Sequence, residues 1–298
     1  MVSARGRRQQ VEYARGRGLS SRRACALLQV ARSTLNYQAL QPAKDAPVLA
    51  AMCELSAQYP RFGYRRIGVY LDRAGHLMSW DRTHRLWKLA GLQVPRKRPR
   101  RRIASQRPRP TPATGPNQVW AYDFVFDACA NRQQLKCLTV IDEWTRESLD
   151  IDVQGSIRSG RVIEVLSRLI SLHGAPRFLR SDNGPEFVSR AVLTWLLEAG
   201  ISTALSDPGK PWQNGSDESF NGKFRDECLS MEWFRTRAEA KVVIEQWRQH
   251  YNTDRPHSSL DYLSPLAFKQ CSQERQKEIL QKKEPKQKTL PTGQAILN

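Results

Sequence analysis

The 298-residue chain has no run of about 18 apolar residues, so nothing in it reads as a membrane-spanning helix. Its basic start, Met1 to Arg8, is not followed by an apolar stretch and does not read as a secretory signal. Six cysteines (Cys25, Cys53, Cys129, Cys137, Cys228 and Cys271) include no Cys-x-x-Cys pair, so they read as reduced, mostly buried thiols of a cytoplasmic protein. Acid is scarce at the front. Residues 1–112 carry 24 Lys and Arg against 5 Asp and Glu, while residues 113–298 carry 24 of each. The whole net charge of +19 therefore belongs to the first third, which reads as a polyanion binder joined to a neutral globular domain.

Five segments follow one another. Residues 1–44 hold a helix-turn-helix pattern at 19–38. Ser20 or Ser21 can cap a first helix with an apolar face of Ala24, Leu27 and Leu28, and a second helix from Ser33 would bury Leu35. Its exposed Arg32, Ser33, Thr34 and Asn36 suit base edges or phosphates, and the other reading is a plain helical hairpin. Residues 45–94 form a second helical module. There Arg61-Phe-Gly-Tyr-Arg-Arg-Ile67 leads into a helix carrying Ile67 and Leu71 that Gly75 ends, and Ser79 caps another bearing Thr83, Leu86, Trp87 and Ala90. Arg65 and Arg66 are candidate DNA contacts; Tyr64 either joins them or packs. Residues 95–114 place eight positive charges among prolines that block helix and ladder alike. Such a strap should lie along phosphates through Arg96, Lys97, Arg98, Arg100, Arg101 and Arg102.

Residues 115–271 change to strands at 119–126, 135–141 and 148–153, then a helix closed by His173-Gly174, a strand at 177–181, a helix at 191–197, a short strand at 201–205 and a helix at 215–229. That order predicts an α/β, ribonuclease-H-like core behind small all-α modules. A last helix at 237–251 presents Ala240, Val243, Ile244, Trp247 and Tyr251 on one face, and residues 272–298 read as a frayed helix or disordered tail.

Three acids stand out in their surroundings: Asp123 in Val-Trp-Ala-Tyr-Asp-Phe, Asp182 in Ser-Asp-Asn-Gly-Pro-Glu-Phe, and Glu218 in Pro-Trp-Gln-Asn-Gly-Ser-Asp-Glu-Ser-Phe-Asn-Gly-Lys-Phe-Arg, with 35 residues between the second and third. With Tyr-Asn-Thr-Asp-Arg-Pro-His-Ser-Ser-Leu at 251–260, these words resemble the DDE transposases, and most closely the second-frame (OrfB-type) transposase of the bacterial insertion-sequence family read from two overlapping frames. The resemblance runs from about residue 19 to 270. It implies an integrase-like catalytic core, with Asp123, Asp182 and Glu218 as the catalytic acids and Arg225 assisting. It also implies two Mg²⁺ ions, with Mn²⁺ as an alternative. The implied partners are element terminal inverted repeats, target DNA, the first-frame protein and further copies on DNA, in a bacterial cytoplasm near the nucleoid. Many relatives place a Thr two residues after the first acid; here Phe124-Val125 follows. Retroviral integrases carry a His-His-Cys-Cys zinc module, and His76, His84, Cys25 and Cys53 lack its spacing.

Phosphodiester transfer builds charge on the attacking and leaving oxygens, which two metals about 3.5–4 Å apart can stabilise when carboxylates hold them. On a straight helix Phe220 and Phe224 lie roughly 200° and 240° from Glu218 and face the core, while Arg225 returns to within roughly 20° of it. Asn221 and Lys223 are further candidate DNA contacts. The polar loop 207–217 offers Lys210, Trp212, Gln213 and Asn214, with Trp212 either stacking on a base or plugging the domain surface.

Each acid also has a plain reading. Asp182-Asn183-Gly184 is an ordinary turn string, Asp127 is an impostor for Asp123, and Asp217 and Glu227 compete with Glu218; Asp142 and Glu143 read as structural. A regulator on a dead nuclease fold should lose an acid, and none is lost; a ribonuclease H would not need the basic strap or the front modules. The serious alternative is a second-frame product inactive without its first-frame partner.

Overall fold

A computed structural model of the chain describes residues 4–37, 40–95, 112–181, 184, 189–204 and 215–283. The chain divides into two compact units, Met1–Pro95 and Arg96–Asn298. In the front unit α1 (Ala4–Gly16), α2 (Ser21–Leu27) and α3 (Arg32–Asn36) close around Val11, Ala24, Cys25 and Val30, with Leu35 packed alongside. The Ser20 hydroxyl caps α2 by accepting from the Arg23 N–H at 3.4 Å. The helix-turn-helix pattern at 19–38 thus supplies the last two helices of a three-helix cluster. Helix α1 escapes the sequence reading because Val11 is its one buried apolar side chain among the described residues, too little to show a period.

A second core of Val48, Met52, Phe62, Ile67, Leu71, Leu86 and Trp87 joins α4 (Gln41–Gln58), α5 (Tyr64–Arg73) and α6 (Trp80–Leu89). Helix α4 crosses residues 44 and 45, where the two modules part in the sequence. Pro42 sits in its first turn, where no N–H is required, although Pro47 lies inside the helix. Ser79 caps α6 by accepting from the Arg82 N–H at 3.3 Å. Gly68 lets α6 approach α5, since a Cβ there would stand 2.8 Å from the Trp80 ring. Buried Asp45 of α4 holds Arg82 at 2.7 Å and Arg85 at 2.9 Å, and these guanidinium groups keep its pKa down at about 2.

The second unit is built on a five-stranded mixed sheet of order β3-β2-β1-β4-β5. β1 (Val119–Ala128), β2 (Gln134–Asp142) and β3 (Ser148–Gln154) form an antiparallel meander; β4 (Phe178–Arg180) and β5 (Ser202–Thr203) add in parallel. Alternate residues of β1 face opposite layers. Trp120 and Tyr122 pack under α7 (Ser159–His173) and α8 (Arg190–Glu198), and Ala121 and Val125 under α9 (Gly215–Phe224) and α10 (Arg237–Thr253). This is the ribonuclease-H-like integrase arrangement that the order of strands and helices predicts. α11 (Pro265–Lys283) docks on the β2–β3 turn through Phe268 against Trp144, with centroids 5.0 Å apart, and Lys269 against Glu147 at 2.7 Å. It stays helical past residue 271. Cys25, Cys129, Cys137 and Cys228 are buried, and burial pushes the Cys137 thiol up to about 12. Among the described residues no helix is long and apolar enough to cross a membrane.

Candidate active site

Strands β1 and β4 share only the pairs Val119–Phe178, Trp120–Leu179 and Ala121–Arg180. Asp123 stands two residues past the last of these, half-buried, on the sheet face of Ala121 and Val125 and therefore toward α9. Its Oδ1 accepts from the Phe124 N–H at 2.7 Å, and its Oδ2 accepts from Asn221 Nδ2 at 2.8 Å. The other end of the Asn221 amide accepts from Thr139 Oγ1 at 3.1 Å. Thr139 lies directly opposite Asp123 in the β1–β2 ladder, and its hydroxyl is also 3.2 Å from the Asp123 carbonyl oxygen.

Glu218 is exposed in the first turn of α9, where the helix N-terminus favours a carboxylate, and it is the neighbour of Asn221 across one turn. Adjacent Asp217, about 100° round the helix, is fully buried. Phe220 and Phe224 enter the core, as helical geometry requires. Asn221 departs from its sequence reading as a DNA contact. It is 7% exposed, and its amide is engaged by a strand carboxylate and a strand hydroxyl. Lys223 lies along the helix, with Nζ donating to Ser219 Oγ at 2.8 Å.

The helix over 215–229 is not one piece. It is α-helical to Phe224 and then widens into a π-turn, Arg225–Leu229, where the Ser230 N–H reaches back to the Arg225 carbonyl at 2.8 Å. The wider turn seats Cys228 and Leu229 in the core. It also brings Glu227 to buried Arg255, which donates to its two oxygens at 2.6 and 2.5 Å. Glu227 is thus a brace. Arg225 is exposed, and its Nη1 donates to the Phe126 carbonyl at 3.3 Å, on the part of β1 that β4 does not reach.

The 251–260 word works as a clamp on these parts. Tyr251 meets Phe220 edge-on at 5.0 Å, Asn252 bonds both the N–H and the carbonyl of Ser148 at 2.9 Å, and Arg255 holds the π-turn. Asp142 organises the turn after β2 by accepting from the N–H groups of Asn117 at 2.7 Å and Thr145 at 2.7 Å. Glu143 takes buried Arg180 at 2.6 Å; burial pushes its carboxyl up and Arg180 opposes that. This pair ties the end of β4 to the end of β2. Asp127 accepts from the neighbouring Ala128 N–H at 2.8 Å.

Asp182 lies outside the described residues, as do Lys210, Trp212, Gln213 and Asn214 of the loop and Arg96, Lys97, Arg98, Arg100, Arg101 and Arg102 of the strap. Among the described residues, which include Asp123 and Glu218 but not Asp182, no group of three His, Cys, Asp or Glu side chains is arranged to hold a metal ion. In the front unit Arg32, Ser33 and Thr34 are exposed on α3, and the Asn36 side chain lies outside the description. Arg65 is exposed, with Nε 3.2 Å from Tyr64 Oη, and Arg66 lies over the Phe62 ring at 5.1 Å. Tyr64 packs on His84 with ring centroids 4.8 Å apart. The sequence holds no sign of the bonds made by Thr139, Arg180 and Arg255, because each partner lies far away in the chain.

Residues 113–211 and 199–265 match the family described as integrase core domain, and residues 43–100 match the HTH-like domain. The chain is 45% identical over 251 residues to the 31.7 kDa protein of insertion element IS407 from Burkholderia multivorans, covering 84% of this chain and 90% of that one. It is 42% identical over 250 residues to the 39.2 kDa protein of insertion element IS476 from Xanthomonas euvesicatoria, covering 84% and 72%. The transposase for insertion sequence element IS904 from Lactococcus lactis is 30% identical over 227 residues, covering 70% and 87%. Among solved structures, the HTLV-2 integrase catalytic core domain aligns over 51% of this chain and 96% of its own length, at 17% identity and a TM-score of 0.40. The chain belongs to the DDE insertion-sequence transposases, polynucleotidyl transferases with an integrase core behind an HTH-like domain.

Proposed function

We propose that Asp123, Asp182 and Glu218 together hold two Mg²⁺ ions, with Mn²⁺ as a working substitute, where DNA strands are cut and joined. The grip of Asn221 on Asp123 carries this reading, because it sets the turn of α9 bearing Glu218 against the strand bearing Asp123. The strand register supports Asp182: Ala121 pairs with Arg180, and each acid stands two positions further along its own chain. Carboxylate oxygens are the ligands a hard divalent cation prefers. When bound, the metal supplies charge neutralisation at the attacking and leaving oxygens of a phosphodiester. Asp123 contributes a carboxylate already oriented by two N–H donors. Exposed Arg225, beside β1, offers a guanidinium to a nearby phosphate.

In the same reading residues 1–44, 45–94 and the strap 95–114 bind the element's terminal inverted repeats and the target DNA. Residues 115–271 perform the chemistry, as an oligomer on DNA with the first-frame protein, in the bacterial cytoplasm at the nucleoid. Asp123→Asn, Asp182→Asn and Glu218→Gln are each expected to lower strand transfer on end-containing DNA by about 10³-fold or more, while melting temperature and DNA binding hold. Near-normal transfer in Asp182→Asn overturns the metal assignment. The same assay is run with and without the first-frame protein; wild-type transfer seen only in its presence assigns the active form to the complex.

A further inference from the structure

We propose that Asn221 and Thr139 are positioning residues that orient the Asp123 carboxylate for metal binding, an inference that rests on the reading of Asp123 as a metal ligand. Asn221 is 7% exposed and Thr139 is fully buried. An amide and a hydroxyl at such depth cost stability unless they are bonded, and apolar side chains would suit a helix face that already carries Phe220 and Phe224. The polar pair is instead bonded end to end. A carboxylate only accepts, so the amide must present Nδ2 to Asp123; Oδ1 then faces Thr139, whose hydroxyl donates to it. Thr139 is itself the cross-strand partner of Asp123. The relay therefore joins β2, α9 and β1 at the acid.

Two consequences bear on metal binding. A neutral N–H donor fixes the carboxylate rotamer without cancelling its charge, whereas Lys or Arg at position 221 would compete with a cation for it. The relay also holds the turn of α9 that bears Glu218 in a set phase against Asp123. Groups that hydrogen-bond a ligating side chain are worth about 10- to 100-fold in metal affinity.

The full-length chain tests this by Mn²⁺ binding in electron paramagnetic resonance, with melting temperature and the metal dependence of strand transfer measured alongside. Asn221→Leu keeps the size and loses the donor; it should weaken Mn²⁺ binding about 10- to 100-fold and raise the half-saturating metal concentration in step. Thr139→Val should shift both in the same direction by less, and Thr139→Ser, which keeps the hydroxyl, should restore them. A lower melting temperature with Mn²⁺ affinity unchanged in Asn221→Leu makes Asn221 a structural residue only and overturns the proposal. Should Asn221→Leu fail to fold, unchanged Mn²⁺ affinity in Thr139→Val overturns it equally. Asp123→Asn separates the two levels. If that variant binds Mn²⁺ like the wild type, the metal reading fails; if it loses Mn²⁺ while Asn221→Leu and Thr139→Val keep it, the positioning relay alone fails.

Discussion

The basic front of the chain and the remainder differ in how many acids their arginines have to meet. In residues 1–112 five acids face 24 cations, and guanidinium groups lie over aromatic rings: Arg17 over Tyr13 at 5.2 Å, Arg66 over Phe62 at 5.1 Å, Arg73 over Tyr70 at 5.2 Å. In residues 113–298 acids balance cations, and the buried arginines Arg180 and Arg255 are braces, on Glu143 and Glu227. A ring face holds a cation without cancelling its charge as a carboxylate does. A cation buried against a carboxylate has no such charge left, and removing either partner strands the other in the interior. The same residue type thus stands over rings in the front of the chain and as scaffolding in the interior of the remainder. Arg225, exposed on a carbonyl rather than a carboxylate, is not a brace of that kind although it lies in the second unit.

The largest test of this contrast removes charge from the basic residues 1–112 and from the balanced residues 113–298. Replacing Arg98, Arg100, Arg101 and Arg102 with Ser should flatten the slope of log affinity against log salt by about 0.9 for every phosphate left unneutralised, measured by fluorescence anisotropy on duplex DNA. Arg161→Ser, which strips a cation paired with Asp152 at 2.7 Å, should leave that slope unchanged. Equal slopes in the two variants would dissolve the contrast.

A smaller effect is expected at Arg225. Its bond to the Phe126 carbonyl is exposed, so Arg225→Ala should cost at most about 1 kcal/mol of stability. Without its charge-assisted hydrogen bond to phosphate, strand transfer should slow about tenfold. A steep fall in melting temperature with a normal rate for the folded remainder would instead make Arg225 the cover of the open edge of β1.

What is legible in the sequence divides along the same line. The strands at 119–126, 135–141 and 148–153 are readable because alternation and apolar runs are local signals, and β1, β2 and β3 lie over them. The Ser79 cap and the Gly75 stop are local too. Asn221 reads as a DNA contact because the helical wheel sets it 60° from Glu218, and only the presence of Asp123, 98 residues earlier, shows which way its amide is drawn. Thr139 sits unremarked inside an apolar run for the same reason. The π-turn at Arg225 has no period of its own, and the pair it accompanies, Glu227 with Arg255, joins residues 28 apart. Helix α1 is silent because charged and polar residues outnumber its apolar ones.

The smallest effect concerns a place where the front unit buries an acid against arginines, the Asp45 pair with Arg82 and Arg85. Asp45 has a folded pKa of about 2, held down first by Arg82 and then by Arg85, against an ordinary value of 3.8. A carboxyl with a depressed pKa binds its proton more readily in the unfolded chain. Its contribution to stability is therefore fully present above the ordinary value and is lost as the pH falls toward the folded one. Asp45→Asn should lower the unfolding midpoint of the front unit at pH 7, read by chemical denaturation. The gap between variant and wild type should hold at pH 5 and shrink through pH 3. DNA affinity gives a second readout, because Arg82 and Arg85 are 34% and 53% exposed in their side chains and would be released from the carboxylate. Binding at low salt should hold or strengthen in the variant. If it weakens while the fold persists, Asp45 orients those two guanidinium groups for DNA, and even the braced arginines of the front unit belong to its binding surface.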